Sequence, residues 1–237
     1  MGKRIIQQAR GHGSFTYRVR RKAFKIKLKY LKELEGEGVV EKLLNSRAHS
    51  APIAKIRFKE QIFYVPAAKN LIEGQKIYFS LDNKKQGVNT GDILKLKDIP
   101  IKTSVFDVES RPRDGGVFIK TAGSSAVITK KMNNQVYLLM PSKKEKPFNE
   151  ECRAIVGVIA GSGRLEKPLI KAGKNFYIKK AKNKLWPRTS AVKMNVIDHP
   201  FGSGRGKRIK SKIAKRNSPA GAKVGLIRPS RTGRRKK

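Results

Sequence analysis

Two neighbouring segments, "SAPIAKIRF" at residues 50–58 and "QIFYVPA" at residues 61–67, decide the fold class. Each is short, rich in β-branched and aromatic residues, and bounded by turn residues, which is typical of β-strands. Segments of the same kind follow: "QKIYFSL" (75–81), "DILKLKDI" (92–99), "GGVFIKTA" (115–122), "SAVITKK" (125–131), "QVYLLMP" (135–141) and "RAIVGVIA" (153–160). The sequence therefore predicts a mainly β protein built from short strands.

A seam at "KDIPIKTSVF" (97–106) divides these segments into two series, because Pro100 interrupts the strand pattern there. The spacing predicts two small barrels, one at residues 37–99 and one at residues 100–172, each the size of a five- or six-stranded module. A single continuous β-sandwich is the competing interpretation. "GVVEKLLNS" (38–46) fits either a further strand or a helical turn.

Three segments carry loop signals. "DGG" (114–116) and "NNQ" (133–135) predict a loop or hairpin turn, because Asn and Gly accept positive φ at low cost. "PSKKEKPFNEE" (141–151) has too many prolines and charges for a central strand, so we expect an exposed loop.

Charge is concentrated at the two ends of the chain. The protein has 56 Lys and Arg against 17 Asp and Glu, a formal net charge of +39 over 237 residues. Residues 1–32 carry +11 and residues 171–237 carry +21, which leaves +7 for the middle. Such self-repulsion calls for an anionic partner, and nucleic acid is the predicted one. We expect a basic N-terminal extension at residues 1–36 and a basic C-terminal tail at residues 173–237, both extended arms.

A membrane surface would be another anionic partner. Binding there needs an amphipathic helix with bulky apolar residues, and the tail has no aromatic residue after Phe201. The sequence has no run of about 18 apolar residues, and its first residues lack the apolar core of a signal peptide. We therefore expect an intracellular protein without a membrane partner, whose tail orders only against its nucleic acid.

Metal chemistry finds no support in the sequence. Cys152 is the only cysteine, which excludes an internal disulfide and a cysteine-based zinc site. The three histidines, His12, His49 and His199, lie far apart along the chain. We expect no bound metal.

The glycine-rich stretches do not match nucleotide-binding motifs. "KMNVIDHPFGSGRGKR" (193–208) fails as a P-loop, because that motif requires glycine in place of Phe201 and a hydroxyl in place of Arg208. "GVIAGSGRLEK" (157–167) fails as a dinucleotide fingerprint, because the third glycine would fall on Glu166. We expect no cofactor.

A catalytic interpretation would make His199 a general base oriented by Asp198. Neighbouring residues usually point apart, however, and no serine, cysteine or second acid completes a catalytic set. The favoured interpretation is that Pro200 and the following glycines shape a peptide that threads between nucleic-acid helices, while His199 hydrogen-bonds to or stacks on them. We expect that the chain is not an enzyme.

RNA is favoured over DNA as the partner. The sequence shows no helix-turn-helix, zinc-finger or heptad pattern that would enter a duplex major groove. Cationic arms on small β barrels suit an irregular folded RNA that is recognised by shape. An architectural or processing protein that binds nucleic acid is the alternative.

Several segments occur in a specific order: "MGKRIIQQARGHGSFTY" (1–17), "SAPIA" (50–54), "DGG" (114–116), "CRAIVGVIAGSGRLEKPLIKAGK" (152–174), "LWPR" (185–188) and "MNVIDHPFG" (194–202). Together they resemble the family of large-subunit ribosomal protein two over nearly the whole chain. Phe201 after the "DHP" triplet is similar to the archaeal and eukaryotic branch. The chain departs from the family at Ser190–Ala191, where Arg-Gly is common, and at Ser203, which interrupts the glycine run.

The resemblance implies an oligonucleotide-binding-fold barrel followed by an SH3-like barrel, flanked by RNA-binding arms. It implies a structural protein and primary ribosomal RNA binder of the large subunit, located in cytoplasmic ribosomes. The implied partners are large-subunit ribosomal RNA, neighbouring ribosomal proteins and the small subunit, without a homo-oligomer. The implied role is to support subunit association, tRNA placement and the peptidyl-transferase region, where RNA carries the chemistry.

His199 matches the family histidine that is proposed to assist the peptidyl-transferase region, so it is a candidate supporting residue and not a catalytic one. The other candidate residues are mainly basic residues and glycines of the arms. The full set of candidate RNA-binding residues is Lys3, Arg4, Arg10, Arg18, Arg20, Arg21, Arg164, Lys171, Lys174, Trp186, Arg188, Asn195, His199, Gly202, Gly204, Arg205, Lys207, Arg208, Arg216 and Arg231.

Overall fold

The chain divides into two units. The terminal unit comprises Met1–Arg20 and Lys171–Lys237, and the sheet unit comprises Arg21–Ile170. The computed structural model describes residues 2–19, 23–79, 87–204 and 213–231. The terminal unit therefore joins segments from both ends of the chain, which the sequence predicted as two separate arms.

The first sheet of the sheet unit has four antiparallel strands in the order β3-β2-β1-β4. They are β1 (Glu37–Leu44), β2 (Ile53–Phe58), β3 (Gln61–Pro66) and β4 (Lys76–Tyr78). "GVVEKLLNS" is thus part of a strand and not a helical turn. A bulge in β1 between Val40 and Lys42 shifts its register against β2, and such a bulge bends the strand and increases its twist.

The second sheet has six antiparallel strands in the order β5-β10-β6-β7-β8-β9. They are β5 (Ile93–Lys95), β6 (Ser104–Phe106), β7 (Ala126–Met132), β8 (Gln135–Leu139), β9 (Glu145–Asn149) and β10 (Arg153–Val156). Asn133 and Asn134 connect β7 to β8 in a two-residue turn, with φ of +50° and +57°. The hairpin predicted at "NNQ" is confirmed, because Asn accepts this left-handed conformation.

The strand predictions differ from the structure in a few places. The loop prediction for residues 141–151 is wrong in part, because β9 forms there. Because β9 lies at the edge of the sheet, it accommodates Pro147, which has no backbone N–H to donate. "GGVFIKTA" contributes only the isolated bridge between Val108 and Phe118. β6 lies inside the predicted seam, and β5, which precedes the seam, pairs with β10.

The fold class is mainly β, as predicted, and the two sheets are consistent with an oligonucleotide-binding-fold barrel and an SH3-like barrel. Within the described residues no ladder joins β3 to β4 or β5 to β9, so the pairing leaves each sheet open at its edges. The domain ranges 1–36, 37–99, 100–172 and 173–237 stay a prediction.

Two apolar clusters fill the sheet unit. One combines Ile56 and Phe63 of the first sheet with Phe106 and Ile155 of the second. The other, which includes the fully buried Ile128, draws its strand residues from the second sheet. Because the first cluster takes residues from both sheets, the sheets share a core, and burying each large side chain contributes about 1.5–3 kcal/mol.

A buried ion pair fastens the chain that precedes β1 to the second sheet. Oε1 of Glu109 accepts hydrogen bonds from Nη2 of Arg153 at 2.7 Å and from the backbone N–H of Gly115 at 3.0 Å. Nη1 of Arg153 donates to the carbonyl oxygens of Leu31 at 2.9 Å and Lys32 at 3.3 Å. These added hydrogen bonds offset the cost of removing both charges from water. The "DGG" loop thus has a structural role.

Asp107 is a second buried carboxylate with weaker compensation. Nζ of Lys120 lies 3.4 Å from Oδ1, but neither carboxylate oxygen accepts a hydrogen bond from any residue in the described ranges. Burial raises the pKa of Asp107 to about 7, although the charge of Lys120 opposes this shift. Asp107 also has φ of +48°, which Asp and Asn tolerate better than most residues.

The described part of the terminal unit contains two short α-helices, α1 (Ile6–Gly11) and α2 (Ala172–Ala181), and two parallel strands, β11 (Ile213–Ala214) and β12 (Leu226–Ile227). Both helices lie in segments predicted as extended arms. α1 begins where the backbone N–H of Ile5 donates to Oε1 of Gln8 at 3.1 Å. None of the helices in the described ranges has the length and apolar character needed to cross a membrane.

Candidate nucleic-acid interface

The terminal unit gathers nearly all of the predicted RNA-binding residues that the structure describes. Its predicted cations are exposed: Lys3, Arg4, Arg10, Arg18, Lys171, Lys174, Arg188, Arg216 and Arg231. Asp198 is the only acid in the sequence of this unit. Exposed cations with a single acid form a surface suited to phosphate groups. The predicted residues Arg20, Arg21, Arg205, Lys207 and Arg208 lie outside the described residues.

The two ends of the chain meet at Lys3 and Ile197. The backbone N–H of Lys3 donates to the carbonyl oxygen of Ile197 at 2.8 Å, and its ammonium lies 3.9 Å from Oδ1 of Asp198. Gly2 permits this approach, because a Cβ there would lie only 2.6 Å from the Ile197 oxygen. The N-terminal segment is therefore held beside the segment that carries His199.

The segment around His199 is a compact turn. The backbone N–H groups of Asp198 and His199 both donate to the carbonyl oxygen of Asn195, at 3.0 and 3.2 Å, and the N–H of Gly202 donates to that of His199 at 2.8 Å. A Cβ at Gly202 would lie 2.4 Å from the Asn195 oxygen. The close approach that this buried glycine permits is to the chain's own backbone. Gly204, by contrast, is exposed, with φ of +76°.

The imidazole of His199 takes its orientation from Phe201. Its Nδ1 accepts a hydrogen bond from the backbone N–H of Phe201 at 3.0 Å, and the two rings lie 5.0 Å apart. A nitrogen that accepts a hydrogen bond carries no proton, so the neutral ring holds its proton on Nε2. His199 therefore offers an N–H donor, which suits an acceptor on a phosphate, sugar or base better than it suits proton abstraction.

His199 lines two cavities of the terminal unit. The first has a volume of about 400 Å³ and is also lined by Arg10 and Arg188. We refer to it as the Arg10–Arg188 cavity. The second, of about 430 Å³, is also lined by Lys3 and Arg4. Both cavities thus combine the histidine with cationic side chains from the N-terminal segment.

Two predicted arginines of the N-terminal segment have local partners. Nη1 of Arg4 lies 2.7 Å from Nε2 of His12, and Nε of Arg18 donates to the carbonyl oxygen of Gly13 at 2.5 Å. The guanidinium of Arg18 also lies 5.7 Å from the ring centre of Phe15. A guanidinium that is already held in place loses less freedom when it binds phosphate.

The sequence predictions missed two aromatic residues on α2. Tyr177 is 69% exposed and Phe176 is 39% exposed, and their rings lie 5.5 Å apart. The ammonium of Lys180 lies 5.7 Å from the Phe176 ring, and α2 has no buried residue. The signal in the sequence was "KNFYIKK" (174–180), in which lysines flank the aromatics. Exposed aromatics among cations are typical of surfaces that stack unpaired bases.

Two candidate RNA-binding residues, Arg164 and Trp186, differ from the exposed cations of the terminal unit. Arg164 lies in the sheet unit, on a short 3-10 helix (Ser162–Arg164), and is exposed. Trp186 is in the terminal unit and is half-buried. The structure therefore brings Trp186, but not Arg164, into the same unit as the other predicted residues.

Within the described residues, no site for metal or thiol chemistry emerges. In residues 2–19, 23–79, 87–204 and 213–231, no group of three or more His, Cys, Asp or Glu side chains could hold a metal ion. Cys152 is buried, and burial raises the pKa of its thiol to about 11, so the thiol stays protonated near neutral pH.

A family model matches more than half of the chain, and individual relatives match almost all of it. The family model described as "Ribosomal Proteins L2, C-terminal domain" matches residues 89–221. The chain is 40% identical to the "Large ribosomal subunit protein uL2" of Archaeoglobus fulgidus over 241 residues, covering 100% of both chains. It is 39% identical to the protein of the same name from Methanospirillum hungatei, covering 99% of this chain and 100% of the relative.

Proposed function

This chain belongs to the ribosomal protein L2 family, and we propose that it serves as a structural constituent of the large ribosomal subunit that binds ribosomal RNA through its terminal unit. The resemblance noted in the sequence is confirmed, and the relatives found include archaeal proteins. The observation that carries the RNA-binding proposal is the set of exposed cations in a unit with one acid, Asp198.

The two units divide this work between them. The sheet unit, with its shared core and buried Glu109–Arg153 pair, is the rigid scaffold. The terminal unit supplies cations for phosphate groups and, on α2, exposed rings for unpaired bases. Contacts of this kind suit an irregular folded RNA better than a regular duplex.

The finer role concerns the segment around His199. We propose that it lies near the peptidyl-transferase region, and that the chain supports subunit association and tRNA placement together with neighbouring ribosomal proteins, in cytoplasmic ribosomes. The support is the resemblance of the "DHP" segment and the Nε2–H donor of His199. RNA carries the chemistry in this proposal, and the histidine positions it.

Binding to ribosomal RNA tests the main proposal. The full chain, freed of RNA, is titrated with large-subunit ribosomal RNA and with a DNA duplex of equal length across a salt series. Each phosphate neutralised on RNA is expected to contribute about −0.7 to −0.9 to the log-log slope. A salt-insensitive affinity, or preferential recovery of DNA after crosslinking in cells, would contradict the proposal.

His199→Ala tests the finer role. The substitution is expected to leave the sheet unit folded, because His199 lies in the terminal unit. Normal incorporation into ribosomes with slower peptide transfer would support a local positioning role. Failure of the variant to incorporate would show that the residue serves assembly instead. Turnover of aminoacyl substrates by the purified chain without RNA would contradict the non-enzymatic role.

A further inference from the structure

We propose that the Arg10–Arg188 cavity takes one unstacked nucleotide of RNA, with its base in the cavity and a phosphate at the arginines; this rests on RNA binding by the terminal unit. The cavity lies between α1 and the segment 185–199 and has a volume of about 400 Å³. Cavities that hold small ligands run from about 300 to 1,000 Å³. One nucleotide, and not a length of duplex, matches this scale.

Apolar side chains form one part of the cavity wall. They are Ile5, Ile6, Leu185, Pro187, Ala191 and Met194. A nucleobase has two flat apolar faces, which lose contact with their neighbours when the base leaves a helical stack. An apolar wall replaces that contact, and RNA-binding proteins commonly recognise unstacked bases in this way.

Polar groups line the same cavity. Gln7 has both a donor and an acceptor in its side chain, Thr189 has a hydroxyl, and His199 has the Nε2–H donor that follows from its bond to Phe201. A base edge presents donors and acceptors together, so it can pair with such a set. A purely apolar ligand would make no use of these groups.

The cationic side chains that line the Arg10–Arg188 cavity favour an anionic ligand. Arg10 and Arg188 both line the cavity and are exposed, and none of its described lining residues is acidic. A guanidinium binds phosphate through two parallel hydrogen bonds, which makes arginine well suited to a nucleotide phosphate. A neutral peptide in this cavity would leave both guanidinium groups without a counter-charge.

The lining comes from opposite ends of the sequence, α1 on one side and residues 185–199 on the other. A nucleotide held there contacts both segments at once. Recognition of the nucleotide is therefore coupled to the joining of the two ends of the chain.

An RNA hairpin with one bulged nucleotide tests the proposal. The full chain is titrated with this hairpin, for each of the four bases in turn, and with a matched hairpin that is abasic at the bulge. The phosphates are the same in both, so charge contacts cancel in the comparison. Removing the base is expected to weaken binding about tenfold for at least one base, within the range of stacking contacts to single bases.

Cavity-filling variants test whether the contribution of the base to affinity arises in the Arg10–Arg188 cavity. Ala191→Phe is expected to weaken binding of the base-bearing hairpin about tenfold and to leave the abasic hairpin unchanged, because the added ring occupies the space of the base. Met194→Trp, at another point of the lining, repeats the test if Ala191→Phe disturbs folding as seen by circular dichroism. Ile72→Phe, at a side chain of the sheet unit that is 68% exposed, is the matched control and should leave both affinities unchanged.

Arg188→Gln distinguishes the contribution of the phosphate contact to binding from that of the base contact. This variant is expected to weaken both hairpins by the same factor, because the contact it removes is to phosphate. Equal affinity of the unmodified chain for base-bearing and abasic hairpins would overturn the proposal that the cavity takes a nucleotide. The proposal that the chain binds RNA would still stand. If neither hairpin nor ribosomal RNA binds, the proposed function itself fails.

Discussion

The backbone N–H of Lys3 donates a hydrogen bond to the carbonyl oxygen of Ile197, although the two residues lie near opposite ends of the chain. This bond places α1 beside the turn that carries His199, and both contribute to the Arg10–Arg188 cavity. Cations from both ends of the sequence, Arg10 and Arg188, therefore line the same cavity. An RNA that binds as proposed would contact cations from both ends of the sequence at once.

Gly2→Ala is expected to break this junction, because a Cβ at Gly2 would lie 2.6 Å from the Ile197 oxygen. Loss of one hydrogen bond, worth about 0.5–1.5 kcal/mol, should speed exchange of the Lys3 amide severalfold to about tenfold. Hydrogen exchange followed by NMR measures this. Gly11→Ala is the control, since a Cβ at Gly11 would meet no atom within 4 Å. Unchanged exchange in Gly2→Ala would contradict the role of the junction.

Arg216→Gln is expected to lower the salt dependence of ribosomal RNA binding. Removing one phosphate contact should reduce the log-log slope by about 0.7–0.9. Affinity measured between 50 and 200 mM salt, roughly the range over which such contacts are strongly screened, provides the slope. Lys97→Gln is the control, because Nζ of Lys97 already pairs with Oε1 of Glu151 at 2.5 Å in the sheet unit. If Lys97→Gln reduces the log-log slope more than Arg216→Gln does, RNA binding belongs to the sheet unit instead.

Tyr177→Ala is expected to weaken RNA binding by about 1–3 kcal/mol, the usual cost of losing one base-stacking ring. Tyr177→Phe keeps the ring and should retain most of the affinity. Because Tyr177 is 69% exposed, neither change should alter the unfolding temperature of the free protein. Equal losses in the two variants would show that the hydroxyl, and not the ring, makes the contact.

Asp107→Asn is expected to stabilise the protein above pH 7. Below pH 4 the carboxyl is protonated in both the folded and the unfolded chain. Between about pH 4 and 7 it ionises only when unfolded, so stability of the unmodified protein falls across this window. Asn never ionises and also tolerates the φ of +48°.

Urea unfolding at several pH values measures the difference between the two proteins. The free energy of unfolding should favour Asp107→Asn by an amount that grows through the window and then levels off at about 2–4 kcal/mol. A difference that does not vary with pH would show that folding does not raise the pKa of Asp107.

Glu109→Gln is expected to destabilise the sheet unit by about 3–5 kcal/mol, because it leaves the Arg153 guanidinium buried without a counter-charge. Glu151→Gln is the matched control at an exposed ion pair and should cost less than about 1 kcal/mol. Unfolding by urea compares the two. Similar small losses in both variants would mean that water reaches Arg153.

The sequence by itself determined the fold class, the separation of charge and the family. Strands such as "QIFYVPA" are visible because side-chain type and turn residues act over a few positions, and "NNQ" predicted its turn for the same reason. Charge is a sum over residues and needs no structure. The position of β9 escaped prediction, because only its place at the sheet edge accommodates Pro147.

Tertiary structure alone decided which distant residues act together. No local pattern relates Lys3 to Ile197 or brings Arg10 to the cavity that His199 lines, because such contacts depend on how the backbone closes over long separations. Which nitrogen of the neutral His199 ring carries the proton also followed only from the hydrogen bond that the Phe201 backbone N–H donates to Nδ1. The sequence identified the cations and the histidine as candidate RNA-binding residues. The packing of the two ends into one unit brings Arg10, Arg188 and His199 to one cavity.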